Sequence, residues 1–405
     1  MTAKERSGPL DGLRVIDMSG MISGGYATML LGDFGADVVM IEHPEVPDPI
    51  REWPRKTENG TSLAWKSLGR NKRCITLDLG SDEGREIALD LIEEADVVYE
   101  NFRPGTMERW GLGPEDVHER NEDAIMVRLS GYGQTGPKSE KPGFGTIAEG
   151  ISGWAHANGF PDREPLLPPI SLADIVAAMF AAQSTLMAVY ERELSRGGSG
   201  EGQVIDVSLM EPLWRLFFGD VEAYDYDGHV RERTGNRHPN TAPRNIYETA
   251  DGYLTMSASN QKIFERVAEA IGKPELIEDS RFEDNAMRVE NCEPLDAAIE
   301  EWTRQHTTEE AIEILEGNDA IVGPVYDMAD IFDDEQFRAR ESFPEVEDPE
   351  VGTVRTFAPV PSFSRTPGDI EFLGPRQGEH NEEVYREELG LSETEFADLE
   401  ERDVI

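Results

Sequence analysis

Residues 13–42, LRVIDMSGMISGGYATMLLGDFGADVVMIE, set the architecture of this chain. The apolar run LRVI is followed by a Gly-containing turn, GMISGG at 20–25, and a small-residue apolar stretch. A second apolar run, VVMI, is opened by GAD, so the order is strand, turn, helix, strand. That is one βαβ unit. A second follows, with CITLDL at 74–79, a helix from Ser81 to Ala95 and DVVYE at 96–100; AIMVRLSGYG at 124–133 supplies a further strand. Strands that alternate with helices predict an α/β fold with a Rossmann-like, doubly wound, mainly parallel sheet. Ligands of such sheets bind beyond the carboxyl ends of the strands.

Downstream, a long apolar helix begins near Asp174, runs to Leu194 and stops in the glycine-rich SRGGSGEG. VIDVSL and an aromatic helix from Met210 to Tyr226 come next, then an irregular basic segment, RERTGNRHPNTAPRN at 231–245. From YETADGYLTMSAS onward the pattern is that of a smaller α/β region, with helices near 261–271, 293–303 and 308–316. The closing TPGDIEFLGPRQGEHNEEVYREELGLSE returns to the earlier style. The expected organisation is a large domain of 1–200 and 326–405, a linker at 201–227 and a small α/β domain at 228–325.

Composition narrows the class. The 405 residues are 38% hydrophobic, enough for a large core. Neither an apolar run of eighteen residues nor an apolar signal core in MTAKERSGPLDG is present, so the expectation is a soluble, cytoplasmic protein with no membrane partner. Cys74 and Cys292 cannot build a disulfide framework and have no CxxC partner. Acidic residues number 82 against 38 basic ones, for a net charge of −44, and the basic ones are thirty arginines and eight lysines. Such a surface repels nucleic acid and anionic lipid. It also repels itself, and the composition is that of proteins that fold in molar salt, as in salt-loving archaea.

Three segments carry candidate chemistry. GMISGG is not GxGxxG, and no acidic residue follows at the ribose position, which argues against NAD. The basic clusters GRNKRC at 69–74 and ENFRPGTMERWGLG at 100–113 stand out on so acidic a chain. Beside strand ends, Arg70, Lys72, Arg73, Arg103 and Arg109 would hold phosphates, while Phe102 and Trp110 would cover an adenine; the alternative is salt bridging to the many carboxylates. In LPPISLADIVAAMFAAQ at 167–183, Asp174 is the only charge. It either caps the helix, for roughly 1 kcal/mol, or lies in the first turn behind a Ser171 cap with its carboxylate free for other work. The histidines at 118, 156, 229, 306 and 380 have no metal-like spacing, and no metal is expected.

Taken in order, LDGLRVIDMS, LGDFGADVVMIEHP, GRNKRCITLDL, EADVVYENFRPGTMERWGLG, RLSGYGQTGP, LADI, GQVIDVSL, GNRHPNTAP and GPRQGEHNEEV resemble the class III CoA-transferases over essentially the whole chain. That group includes formyl-CoA transferase, carnitine CoA-transferase and the 2-methylacyl-CoA racemases. The resemblance implies that Asp174 is the nucleophile, forming a mixed anhydride and then an aspartyl-CoA thioester, with coenzyme A as carrier and neither metal nor NAD. A carboxylate in this role is ionised at pH 7, protected in that state by the helix amino terminus and poorly hydrated among apolar neighbours. Oxyanion donors would come from Gly24 and Gly25 or from the backbone of 143–145.

By the same resemblance, coenzyme A is contacted by Met21, Ile22, Ser23, Leu77, Asn101, Phe102, Thr106, Arg109 and Trp110. Acyl-side contacts fall on His43, Phe144 and Glu149, where the chain departs from its relatives: His43 replaces an Arg and Glu149 a Gln. Phe144 occupies the place of the racemase His and cannot move a proton, which favours transfer over racemisation. Arg237, His238 and Arg244 would bind a remote carboxylate of the acid, or brace a domain interface. A salt-adapted archaeal branch of the family further implies succinyl-CoA as donor and mesaconate as acceptor. Citramalate as acceptor, movement of CoA between the two mesaconate carboxyls, and a catalytically silent acyl-CoA-binding protein are the alternatives. The family fold implies an interlocked homodimer.

Overall fold

The computed structural model describes residues 8–405. The chain divides into two compact units: the described residues up to Trp154 with Leu167–Gly219 and Arg340–Ile405 form the first, Ala155–Leu166 and Asp220–Ala339 the second. Along the first stretch the elements are β1 (Arg14–Asp17), α1 (Ser23–Gly32), β2 (Asp37–Glu42), α2 (Leu63–Leu68), β3 (Lys72–Thr76), α3 (Asp82–Glu93), β4 (Val97–Glu100), α4 (Thr106–Trp110), α5 (Pro114–Arg120) and β5 (Ile125–Ser130). They continue as α6 (Gly145–Ile151), α7 (Trp154–Ala157), α8 (Leu172–Glu193), β6 (Val204–Ser208) and α9 (Met210–Trp214).

The six strands form one sheet in the order β3-β2-β1-β4-β5-β6, every pair parallel. Successive side chains point to opposite faces, so each strand feeds two cores. Val15, Val38, Val97, Ile125 and Val127 pack with α1 and α8. Ile16, Val39, Ile75, Val98 and Met126 pack with α3 on the other face. Helix α3 starts where Ser81 accepts the Gly84 amide, with Asp82 and Glu83 in the first turn against the helix dipole. The strand order reverses between β1 and β4, which makes the carboxyl ends of those strands the natural binding crevice.

Two expectations change here. The segment 201–227 is not a linker: VIDVSL is β6, whose register with β5 pairs Met126 with Val204 and Ser130 with Ser208. The aromatic helix of 210–226 is broken, ending at Trp214 and resuming at α10 (Asp220–Asp227) after Gly219, whose φ of +89° no helix accommodates.

The cluster GRNKRC does not sit at a strand's carboxyl end, because β3 begins at Lys72. Arg70 pairs with Asp33, Arg73 with Asp37 and Glu388, and Lys72 with Asp17, all at buried or nearly buried positions. These cations are therefore occupied and cannot hold phosphates. The outer edge of β3 is covered by the closing segment: Asn381 accepts the Thr76 amide and donates to its hydroxyl, His380 accepts the Cys74 amide, and the Tyr385 hydroxyl donates to the Thr76 carbonyl. An open sheet edge is thereby closed.

Helix α8 is long and apolar enough to cross a membrane by length and composition alone. Its Ala173, Ala177, Ala178, Ala181 and Ala182 pack against α1, β5 and β6, where small side chains let the helix approach the sheet closely.

The second unit is an antiparallel three-stranded sheet, β7 (Arg244–Glu248), β8 (Tyr253–Ser257) and β9 (Val322–Pro324), in that order. Helices at Gln261–Ala270, Cys292–Thr303 and Thr308–Gly317 cover it around Tyr247, Phe264, Phe282, Ile299 and Leu315.

Candidate active site

The turn between β1 and α1 is held from three sides. Asn101, just past β4, accepts the Gly20 amide at 3.0 Å and donates to the Gly20 carbonyl at 2.6 Å, stitching the two strands on either side of the switch point. Met21 adopts φ +62°, and its amide donates to Asp48 Oδ2 at 2.8 Å. Glycine spacing in GMISGG points to a flexible turn, yet the left-handed residue is Met21, kept there by Asp48 and its neighbours. Gly24 and Gly25 lie inside α1, where close packing explains them: a Cβ at Gly24 would lie 2.0 Å from Ser19 Oγ.

Beyond the carboxyl ends of β1, β2 and β3 lies a cavity of about 370 Å³. Leu77, Phe102, Trp110, Met40, Gly20 and His43 line it. Phe102 and Trp110 meet edge to face, 4.9 Å between centroids. The Phe102 amide donates to Glu100 Oε2, and Glu100 is itself fixed by Arg128, so the aromatic wall stands on a buried ion pair. Of the residues expected to contact coenzyme A, Leu77, Phe102 and Trp110 line this cavity directly. Met21, Ile22, Ser23 and Asn101 form the clamped turn beside it, and Thr106 and Arg109 bond to one another on the exposed side of α4. His43 also lines the cavity, 3.7 Å from Asp78, so its place is with this group rather than beside the α8 carboxylate. Asp48, flanked by prolines in VPDPI, is the functional support that sequence reading missed; a lone Asp between two prolines was the available signal.

Asp174 occupies the first turn of α8, three residues after Ser171. It does not cap the helix, and Ser171 makes no side-chain capping bond either. The carboxylate is half-buried against Gly145: a Cβ there would come within 2.1 Å of Asp174 Oδ2, so only glycine leaves the carboxylate its room. Among the described residues Asp174 makes no ion pair. Desolvation first, and the nearby Glu149 carboxylate second, push its pKa up to about 6 from the usual 3.8, while its own backbone amide opposes them. Contrary to expectation, the helix amino terminus does not hold the group at or below its ordinary value; burial and a like charge win. At pH 7 the group is still mostly ionised.

The remaining candidates separate. Glu149 on α6 is buried and faces the start of α8, where the Ala173 amide donates to its Oε1 at 3.4 Å. Phe144 precedes α6 and is exposed. Arg237, His238 and Arg244 lie in the second unit. Arg237 is committed to Asp296 at 2.6 Å, a carboxylate that also takes bonds from Asn245 and Tyr247, so it braces that unit instead of waiting for a substrate. His238 accepts the Asn240 amide, and desolvation with the charges of Arg244 and Arg231 lowers its pKa. Arg244 opens β7 as an exposed residue.

A switch-point crevice with an aromatic wall and, among the described residues, an unpaired carboxylate at the head of an alanine-rich helix are thus two features of this α/β fold with room for chemistry. The chain belongs to CoA-transferase family III, matched over residues 10–381. Its fold is similar to that of a CAIB/BAIF family protein from Brucella suis, with a TM-score of 0.82 and 32% identity over 94% of this chain and 100% of that one. A protein from M. tuberculosis is similar at TM-score 0.81 and 28% identity, over 93% and 99%. Curated relatives include the succinyl-CoA–D-citramalate CoA-transferase of Chloroflexus aurantiacus, 41% identical over 406 residues covering 100% of both chains. The succinyl-CoA:mesaconate CoA-transferase of Haloarcula marismortui is 36% identical over 389 residues, 94% of this chain and 96% of that one. The protein is thus an enzyme of this family, with CoA as its carried group.

Proposed function

We propose that this enzyme moves CoA from succinyl-CoA to a small dicarboxylic acid, mesaconate or citramalate, with Asp174 as nucleophile. The observation that carries the nucleophile is the half-buried, cation-free Asp174 carboxylate pressed against Gly145. The donor is supported by the names of the relatives above; citramalate joins mesaconate as acceptor because the relative named for it is 41% identical, against 36% for the mesaconate enzyme.

In the first step an Asp174 oxygen bonds to the succinyl carbonyl carbon, the carbon–sulfur bond breaks and CoA leaves as thiolate. The thiolate then attacks the aspartyl carbon of the anhydride, releasing succinate and leaving an aspartyl-CoA thioester. The acceptor carboxylate displaces the thiolate from that thioester, and the thiolate attacks the acceptor carbonyl of the new anhydride. Acceptor-CoA departs and the Asp174 carboxylate is restored. No proton is consumed, and one thioester replaces another. Gly145, the first residue of α6, abuts the carboxylate, and its backbone amide is the candidate donor to each tetrahedral oxyanion. The aromatic-walled cavity at β1–β3 receives the nucleotide end of CoA, with His43 in the place its relatives give to Arg.

The test is a donor and acceptor screen, succinyl-CoA against small dicarboxylates, in dilute buffer and in molar KCl. Transfer to mesaconate or citramalate, strongest in molar salt, is expected. Asp174→Ala should cut it by at least about a thousandfold, as removal of a covalent nucleophile does, while CoA binding persists. A variant that still transfers CoA at the wild-type rate sinks the nucleophile reading.

A homodimer accompanies this proposal. Met179, Met187 and Tyr190 on α8, Ile147 and Ile151 on α6, and Trp214 and Phe218 at and beyond α9 are exposed, and apolar side chains left open on neighbouring elements are what a second copy would cover. Light scattering in molar KCl should give twice the 45.2 kDa chain mass; a monomer at micromolar concentration rules the dimer out.

A further inference from the structure

Glu149 and Gly145 stand one helical turn apart on the same face of α6, and both meet the first turn of α8. Gly145 abuts the Asp174 carboxylate and Glu149 takes the Ala173 amide at 3.4 Å. Glu149 is 3% exposed. A carboxylate so buried is ordinarily matched to a cation. Asp17 has Lys72, Asp33 has Arg70 and Glu100 has Arg128, while buried Asp48 is held instead by two backbone amides, those of Met21 and Ile50. Among the described residues Glu149 makes no ion pair.

On α9, β5 and β6, which pack against α8, the described charged side chains are engaged. Glu211 on α9 accepts from Ser208, Arg128 on β5 is shared by Glu100 and Glu108, and Asp206 on β6 accepts the Gln134 amide. Helix α1 has no charged side chain, the 3-10 turn 195–197 follows the opposite end of α8, and Arg192 at that end pairs with Asp96. Among the described residues no ion pair neutralises either carboxylate at the head of α8.

We propose that Glu149 is a positioning residue whose negative charge drives Asp174 into its covalent intermediates. In the resting enzyme two carboxylates are held together in a partly desolvated site. Forming the anhydride or the thioester turns Asp174 into a neutral acyl group, and the repulsion disappears. Glu149 exchanges no atom in either step; it raises the free energy of the unacylated enzyme relative to the acylated one. The same repulsion accounts for part of the upward shift of the Asp174 pKa. The inference rests on the Asp174 reading, and the experiment separates the two.

Wild type, Glu149→Gln and Glu149→Asp are each mixed with succinyl-CoA without acceptor, quenched and weighed intact, with the adduct mapped to its peptide. The pH dependence of kcat/KM is recorded in parallel. Gln keeps the shape and removes the charge. We expect E149Q to lower the ratio of CoA-bearing to free enzyme by roughly three- to tenfold and to move the acid limb below its wild-type position near pH 6 by up to about one unit. Asp keeps the charge one methylene further away, so E149D should fall between the two. An adduct on Asp174 with the wild-type ratio and limb in E149Q overturns this inference and leaves the nucleophile standing. Absence of any adduct in the wild type overturns both. Should E149Q fail to fold, E149D carries the test alone: a partial shift in both readouts is expected, and wild-type values overturn the proposal.

Discussion

Asp17 and Asp174 read almost alike in the sequence, one in VIDMS and the other in LADIV, each a lone acid among apolar neighbours. Their surroundings are opposite. Asp17, fully buried at the end of β1, accepts from the Ser19 amide and hydroxyl, from the Thr28 hydroxyl and from Lys72 Nζ at 3.2 Å. Lys72 Nζ in turn donates to the Gly25 carbonyl at 2.8 Å, so this carboxylate is the hub that ties β1, α1 and β3 together. Asp174 has, among the described residues, no cation partner, and a second carboxylate lies nearby. The contrast shows that a carboxylate is silenced by donors and a cation, and is kept reactive when burial is left without them.

Breaking the first half of the contrast should have the larger effect on stability. Lys72→Met removes the cation and leaves the Asp17 charge buried, which costs about 3–5 kcal/mol. Urea unfolding in molar KCl should show a correspondingly lower midpoint at unchanged slope. A midpoint equal to wild type would mean that the Asp17 network is not what fixes this end of the sheet.

A smaller effect of opposite sign should come from Asp174→Asn. Because the folded pKa of Asp174 is raised to about 6 from 3.8, ionisation penalises the folded state above pH 6. Removing the charge should stabilise by about 1–2 kcal/mol at pH 8, discounted for partial exposure from the full shift. As pH falls from 6 toward 3.8 the wild-type group protonates and the advantage should vanish. Thermal midpoints of the two proteins across pH 4–8 read this directly; a constant or reversed difference would place Asp174 with Asp17 as a structural acid.

Much of this was legible before the structure. The βαβ pattern of 13–42, the strands at 96–100 and 124–133 and the start of α3 at Ser81 are local matters, set by apolar periodicity and by one capping hydroxyl. Asp174 was singled out by being the lone charge in its helix. Phe102 and Trp110 were named together, and they do meet at the cavity. Other features were not legible. Whether VIDVSL joins the sheet depends on β5, nearly eighty residues earlier. The cations of GRNKRC looked available because their partners, Asp17, Asp33, Asp37 and Glu388, are scattered along the chain. The choice between the two readings of Arg237 was hidden for the same reason, since its partner Asp296 lies 59 residues away.

What the sequence determined by itself was the alternation of strand and helix, the excess of acidic surface and the identity of the one carboxylate at the head of α8. These follow from side-chain chemistry and spacing along the chain. Tertiary structure alone decided which charges are neutralised: Lys72 reaching Asp17, Arg237 reaching Asp296, and Glu149 set beside Asp174 with no cation to offset it. The reason is physical. The energy of a charge is fixed by its neighbours in space and by the water it loses, and neither is written in the order of the residues.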